Sequence, residues 1–346
     1  MSMVGNPHST LTTLSLVLLA SALSACAAPV DRADQSQTRV SSEALSATPT
    51  LIWSVNNAGG PVAFSPDGKM LATGSTQDVV QTLATSDGHQ IKTYRVRGVT
   101  KAAAFSLDGT LLLEGSSSTP LNLRLYRVAD GSQVFTEKVA SEHGLTAVAW
   151  SPTDPNTFFT AGRERTTPST KIWNTSGTIV RGLTDGHRVL AMAISPDGQR
   201  IVSNASGILD VWRVSDGALL LSIASVNQFA VAFSRDGRYI TTGFELFDST
   251  TGALVRNFPW PAGGDISAVT FTKDGSMVIA GGEDFVNMTD AAVIRYFRVS
   301  DGTKQVEYAV PGQNAYVNNL AISPDGTELA YGVATANVTA LVTSPF

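Results

Sequence analysis

Four histidines, one cysteine and one run of clustered acids are the side chains of this 346-residue chain with the reactivity that catalysis or metal binding needs. The histidines are His8, His89, His143 and His187. Their separations match no zinc pattern, in which ligands recur a few residues apart. Glu283, Asp284, Asn287 and Asp290 gather oxygen-bearing side chains of the kind calcium takes. Their spacing fits no standard calcium loop and lacks its turn glycine, so no metal is expected there. No Gly-x-Ser-x-Gly nucleophile elbow and no glycine-rich phosphate loop occurs, and no other cofactor is expected. The single thiol, Cys26, excludes an intrachain disulfide.

Other residues have the chemistry of contact rather than reaction. Arg163-Glu164-Arg165 suits an acidic partner, or is a solvated charge cluster. Pro259-Trp260-Pro261 places an indole on a loop, where it is either an interface anchor or the cover of a sheet edge. His143, His187, Arg188 and Tyr316 lie just ahead of recurring strands. The candidate partner-binding set is therefore Trp260, Arg163, Arg165, His187, Arg188 and Tyr316. The net charge is −5, and no lysine or arginine cluster stands out. A protein that tracks phosphates carries a basic stripe, so a protein or peptide partner is expected and nucleic acid is not.

The elements that position these residues come from a repeat. The phrase Ala-Phe-Ser-Pro-Asp-Gly, with variants, recurs at Val62–Gly68, Ala103–Gly109, Val148–Pro155, Met192–Gly198, Val231–Gly237, Val269–Gly275 and Leu320–Gly326. The Ser or Thr of successive copies are 41, 45, 44, 39, 38 and 51 residues apart. One strand-turn phrase per forty residues predicts a propeller. The fourth copy reads as four strands, Val189–Ser195, Gln199–Asn204, Ile208–Val214 and Ala218–Ile223, separated by turn residues. We call the strands of each blade a to d from the axis outward. In strand a the residue before the Ser/Thr is bulky (Phe64, Phe105, Trp150, Ile194, Phe233, Phe271, Ile322) and the one before that is small. These are core positions, because both faces of each sheet must pack on a neighbour.

The expected fold is all-β: a seven-bladed propeller of four-stranded antiparallel blades over residues 50–346. The seventh repeat supplies strands a, b and c, ending at Val338–Thr343. Thr50–Val55 has the pattern of a strand d and is expected to pair with Val338–Thr343, closing the ring and covering its open edges. The a–b and c–d turns are uniform, mostly Asp-Gly. The d–a and b–c loops differ in every blade; the fifth has almost no b–c loop at Gly243 and the sixth inserts Glu283–Asp290. Variable loops over a rigid scaffold place the binding face on the d–a/b–c side.

Val62–Ser75, VAFSPDGKMLATGS, and Asp185-Gly186-His187 ahead of the fourth strand a resemble the WD-repeat propellers. The resemblance spans residues 50–346 and implies a module that binds other proteins. The strand c aromatic of that family is Trp at Trp173 and Trp212; Leu83, Tyr126, Phe247 and Phe297 replace it elsewhere. The Asp that follows it is present as Asp248, with Arg127, Arg213 and Arg298 at matching places. The family's buried hydrogen-bond network is thus expected to be largely replaced by apolar packing. Some propellers are enzymes of the lactonase or hydrolase type, with a site in the central channel; that is the alternative function, and convergent acidic, Asn and His side chains at the channel mouth would mark it.

The N-terminus reads as an address. Leu11–Leu23 is apolar but too short for a permanent membrane helix. It runs into Leu23-Ser24-Ala25-Cys26, which resembles the bacterial lipoprotein signal, in which the cysteine is acylated and becomes the new terminus. Residues 1–25 are then a signal peptide and 26–49 a polar tether, whose coil length is about 25–30 Å. Met1–Thr10 lacks the usual Lys or Arg. Ala27, where an Asp resembles an inner-membrane retention signal, points to the outer membrane. The chain is expected to be a lipid-anchored protein of a bacterial envelope, held to the membrane through that anchor.

Overall fold

The architecture is that of a computed structural model, described for residues 48–75, 78–117, 122–135, 141, 143–164, 168–183, 188–227, 229–286, 289–311, 316–333 and 338–345. The leader, Cys26 and the tether up to residue 47 lie outside the described residues, as do Arg165, His187 and Asn287. Among the described residues no helix is long and apolar enough to cross a membrane.

The seven copies form seven antiparallel sheets. In blade 4 the strands are Ala191–Ile194, Arg200–Ala205, Ile208–Arg213 and Leu219–Ala224, in that spatial order. Strand a of each blade lies beside strand a of the next, and that of blade 7 (Val317–Ile322) lies beside that of blade 1 (Val62–Phe64), so the ring is closed. In blade 2 three strands, Thr100–Phe105, Leu111–Ser116 and Leu123–Arg127, are described. Gln133 makes a single bridge to Tyr126 on the side where a fourth strand would run.

Closure follows the expected route. Leu51–Asn56 pairs antiparallel with Val338–Thr343 and forms the outer strand of blade 7. Thr50 and Thr343 exchange hydrogen bonds at the end of this pair. Trp53, 9% exposed, donates its indole N–H to the Thr85 carbonyl of blade 1 at 2.7 Å. The joining strand therefore fastens blade 7 both to its own sheet and to its neighbour.

The core is distributed over seven seams. The Tyr94–Leu112–Tyr126 cluster joins blades 1 and 2, and Leu125–Trp150–Phe158 joins 2 and 3. Equivalent clusters join 3 to 4, 4 to 5, 5 to 6, 6 to 7 and 7 to 1. Each blade is thin and apolar on both faces, so a seam can bury its side chains only if the next blade is in place.

The Ser/Thr of the repeat is a clip for the a–b turn. Ser195 donates to Asp197 Oδ1 and accepts from the backbone N–H of Arg200, while Asp197 accepts from the N–H of Gln199. The same three bonds recur at Ser65, Ser106, Ser234, Thr272 and Ser323. Blade 3 departs: Ser151 accepts from Asp154 N–H, and Thr157 donates to Asp154, across a turn one residue longer. Glycine closes these turns because φ is positive, +69° at Gly198 and +77° at Gly217 of the following c–d turn.

The strand c network is partly kept. Trp173 donates to Thr160 and Trp212 to Ser203, across strands b and c. Blades 2 and 6 instead bury charge. Arg124 meets Glu114 at 3.0 Å, both fully inaccessible, and Arg295 grips Asp284 through two nitrogens. Apolar packing is thus supplemented by paired charges in two blades, a feature that aromatic and small-residue spacing did not disclose.

Candidate functional site

Residues in or just ahead of every strand a surround a cavity of about 570 Å³ on the ring axis. It draws on all seven blades, and its lining lies at the d–a end of the strands, together with Ser117 and Arg163 from b–c loops. This is the end where the sequence placed the binding face. The bulky residues next to the Ser/Thr, such as Phe105 and Phe271, face the seams and leave the cavity to their predecessors.

Two rings of side chains define its chemistry. Three residues before each Ser/Thr stand Val62, Ala103, Val148, Met192, Val231, Val269 and Leu320, an apolar collar. Five residues before it stand Gly60, Lys101, Thr146, Leu190, Phe229, Ser267 and Asn318, different in every blade. The repeat therefore fixes the scaffold at one set of positions and leaves the mouth free to vary at another. Phe229 is 44% exposed there. Phe229, Lys101 and Asn318 are functional candidates that sequence reasoning missed. The signal was present: within an otherwise regular phrase, the fifth residue back is the one that does not repeat.

Of the residues singled out beforehand, Arg163 and Tyr316 line this mouth. Arg163 is exposed and Tyr316 half-buried. Arg188 is exposed on the same end, next to Val189, whose N–H bonds the Gly162 carbonyl beside Arg163. His143 also lines the mouth; its Nδ1 is 3.4 Å from Glu164, whose side chain is buried. His89 lies at the opposite end, bonded to Asp87 in a c–d turn.

Trp260 stands away from the channel. Its ring packs against Phe244 and Phe297, under the Arg295 guanidinium at 4.3 Å, and its N–H reaches the Glu283 carbonyl at 3.3 Å. The half-buried indole covers the seam between blades 5 and 6. Asp284, from the acidic run, belongs to the same cluster through Arg295, which also holds Glu307 at 2.9 Å. Burial alone would weaken the charge on Arg295; the bonds to Asp284 and Glu307 outweigh it and raise its pKa. In blade 6 the b–c hairpin is extended, Met277–Val286 paired with Thr289–Arg298 as far as Val286 opposite Thr289. Glu283 and Asp284 are consecutive on one strand and so point to opposite faces of it, whereas a cation would need them converged. Among the described residues no three His, Cys, Asp or Glu side chains converge as a metal site would require.

With this geometry in view, the comparisons with known proteins fit one repeat at a time. Residues 177–213 match the family model "WD domain, G-beta repeat". That segment is strand d of blade 3 followed by strands a, b and c of blade 4, the blade with the clearest repeat. The chain is also 31% identical over 162 residues, 45% of its length, to the WD repeat-containing protein slp1 of Schizosaccharomyces pombe. It spans about a third (33%) of that relative. The fold is a WD-repeat-like propeller. Such a propeller is a scaffold consistent with protein interaction.

Proposed function

We propose that this chain is a lipid-anchored propeller of a bacterial envelope, acylated at Cys26, that binds a protein or peptide segment across the d–a/b–c end of the ring. It acts as a binding and scaffolding module and not as an enzyme. The observation that carries this reading is the set of seven unlike residues, six around the 570 Å³ cavity and Gly60 in the cleft beside it, on a scaffold that otherwise repeats. Of the acidic, Asn and His side chains that would mark the enzymatic alternative, His143, Asn318 and Asn319 line the cavity. Arg163 and Tyr316 supply contact chemistry at its rim, a guanidinium and a phenol. The lipoprotein box at Leu23–Cys26 supports the anchor, and Ala27 supports the outer membrane.

Two measurements test this. Labelled palmitate should enter the wild type and not Cys26→Ala; release of both forms into the soluble fraction refutes the anchor. Affinity capture from solubilised envelopes should recover a partner with the wild type and lose it with Phe229→Ala and Arg163→Ala. Full recovery by both variants refutes the mouth as the binding face.

A further inference from the structure

We infer that the side cleft between blades 7, 1 and 2 receives a carboxylate side chain of the partner, so that the partner segment is acidic and extended. This rests on the loop end being the binding face. The cleft, about 360 Å³, opens beside the axial cavity and shares Lys101, Tyr316 and Asn318 with it. Its blade 1 wall is built from Gly59, Gly60, Pro61, Gly74, Ser75 and the exposed Asp78. A Cβ on Gly60 would stand 2.8 Å from the Cα of Gly74, and one on Gly74 would stand 3.2 Å from the Cβ of Thr100, so the two segments approach this closely only as glycines.

Four of the polar side chains in the cleft, Lys101, Tyr316, Asn318 and Thr100, keep bonding capacity. Among the described residues, the Lys101 ammonium has no carboxylate within ion-pair distance and the Tyr316 hydroxyl has no hydrogen bond. The Asn318 amide donates to the Gly59 carbonyl at 3.1 Å, and its Oδ1 is buried without a partner. Thr100, 3% exposed, also lines the cleft with its hydroxyl unpaired. Leaving a buried acceptor unpaired is costly, so a ligand that brings an N–H gains more than one that only fills space. An extended peptide offers that N–H from its backbone while a side-chain carboxylate meets Lys101 and Tyr316.

Charge selects the sign. Across the two cavities the lining holds Lys101 and Arg163 against one carboxylate, Asp78 on the cleft, in a chain whose net charge is −5. The opposite end carries an aspartate in every a–b turn, including Asp67, Asp108, Asp197, Asp236, Asp274 and Asp325. An acidic segment is therefore drawn to one end of the ring and repelled by the other.

The test is a titration of the full chain with a blocked octapeptide of alternating glutamate and alanine, followed by calorimetry. Saturable binding is expected, at least about 10-fold tighter than for the glutamine or lysine analogues and weakened by salt. Lys101→Gln should weaken it about 5-fold with melting temperature unchanged, and Lys101→Arg should restore it. Equal binding of the glutamine analogue, an unaffected Lys101→Gln variant, or stronger binding of a thymidine decanucleotide than of the glutamate peptide would overturn the inference. If Phe229→Ala loses the envelope partner while Lys101→Gln keeps it, the acidic partner fails and the binding face stands. If all variants keep it, the binding face fails too.

Discussion

The two ends of the ring are built from the same strands and follow opposite rules. At the turn end six of the seven blades repeat one hydrogen-bond clip, from Ser65–Asp67 to Ser323–Asp325, and the seventh is a one-residue variant. At the channel end the corresponding position changes in every blade, from Gly60 to Lys101 to Phe229. The turn end has buried hydroxyls that each make several bonds. The channel end has an exposed phenylalanine, an unpaired lysine and a buried acceptor without a donor. The turn end repeats one bond pattern, whereas the channel end is held by bonds that differ from blade to blade, as in the buried Asn227 side chain that donates to the Thr242 and Ile266 carbonyls.

The largest effect should come from the device that both ends depend on. Deleting residues 50–55 removes Trp53 from the seam between blades 7 and 1 and exposes the edge of Val338–Thr343. Loss of one buried Trp costs about 3–5 kcal/mol, and the missing strand adds to it. Thermal unfolding should show a large fall in midpoint or no cooperative transition. An unchanged midpoint would refute closure as the fastening.

Next comes the contrast between two serines. Ser195→Ala strips the clip of blade 4 and should destabilise by about 1–3 kcal/mol, because Asp197 and Arg200 N–H lose a buried partner. Ser267→Ala at the mouth should stay within about 0.5 kcal/mol. Similar costs for both, measured by urea unfolding, would erase the distinction between the ends.

Acid sharpens the same contrast. Hydrogen bonds from Ser65, Ser106, Ser234 and Ser323 hold Asp67, Asp108, Asp236 and Asp325 below the ordinary aspartate range, Asp325 at about 2. Burial opposes this at Asp197 and Asp274, and the hydrogen bonds outweigh it. Folded pKa values below the unfolded value of about 3.9 mean that the unfolded chain binds protons first. The stability these groups contribute is complete above about pH 4 and is lost as pH falls toward about 2. Asp325→Asn should flatten that slope in an acid titration followed by circular dichroism; parallel curves for variant and wild type would dismiss the clip as its origin.

The smallest effect on stability should belong to Phe229→Ala, within about 0.5 kcal/mol, since the ring is largely exposed. Its effect should appear in partner capture instead. A marked fall in melting temperature would make Phe229 part of the scaffold.

The repeat phrase carried the blade count, the turn chemistry and the joining of Thr50–Val55 to Val338–Thr343, because period-2 apolar patterning and Asp-Gly turns are local signals. Variation among loops pointed to the d–a/b–c end as a binding face, and the lining of the axial cavity lies at that end. What local signals could not convey was convergence. Lys101, Arg163, Phe229 and Asn318 lie in four different blades, and only the closed ring brings them to one mouth. The burial of Trp260 under Arg295, and of Arg124 against Glu114, likewise depended on which blade lies beside which. Hydrogen bonds and turns are settled between residues a few positions apart, so the chain spells them out. The chemistry of a cavity is a sum over distant segments, and the packing of the seven seams decides which side chains enter that sum.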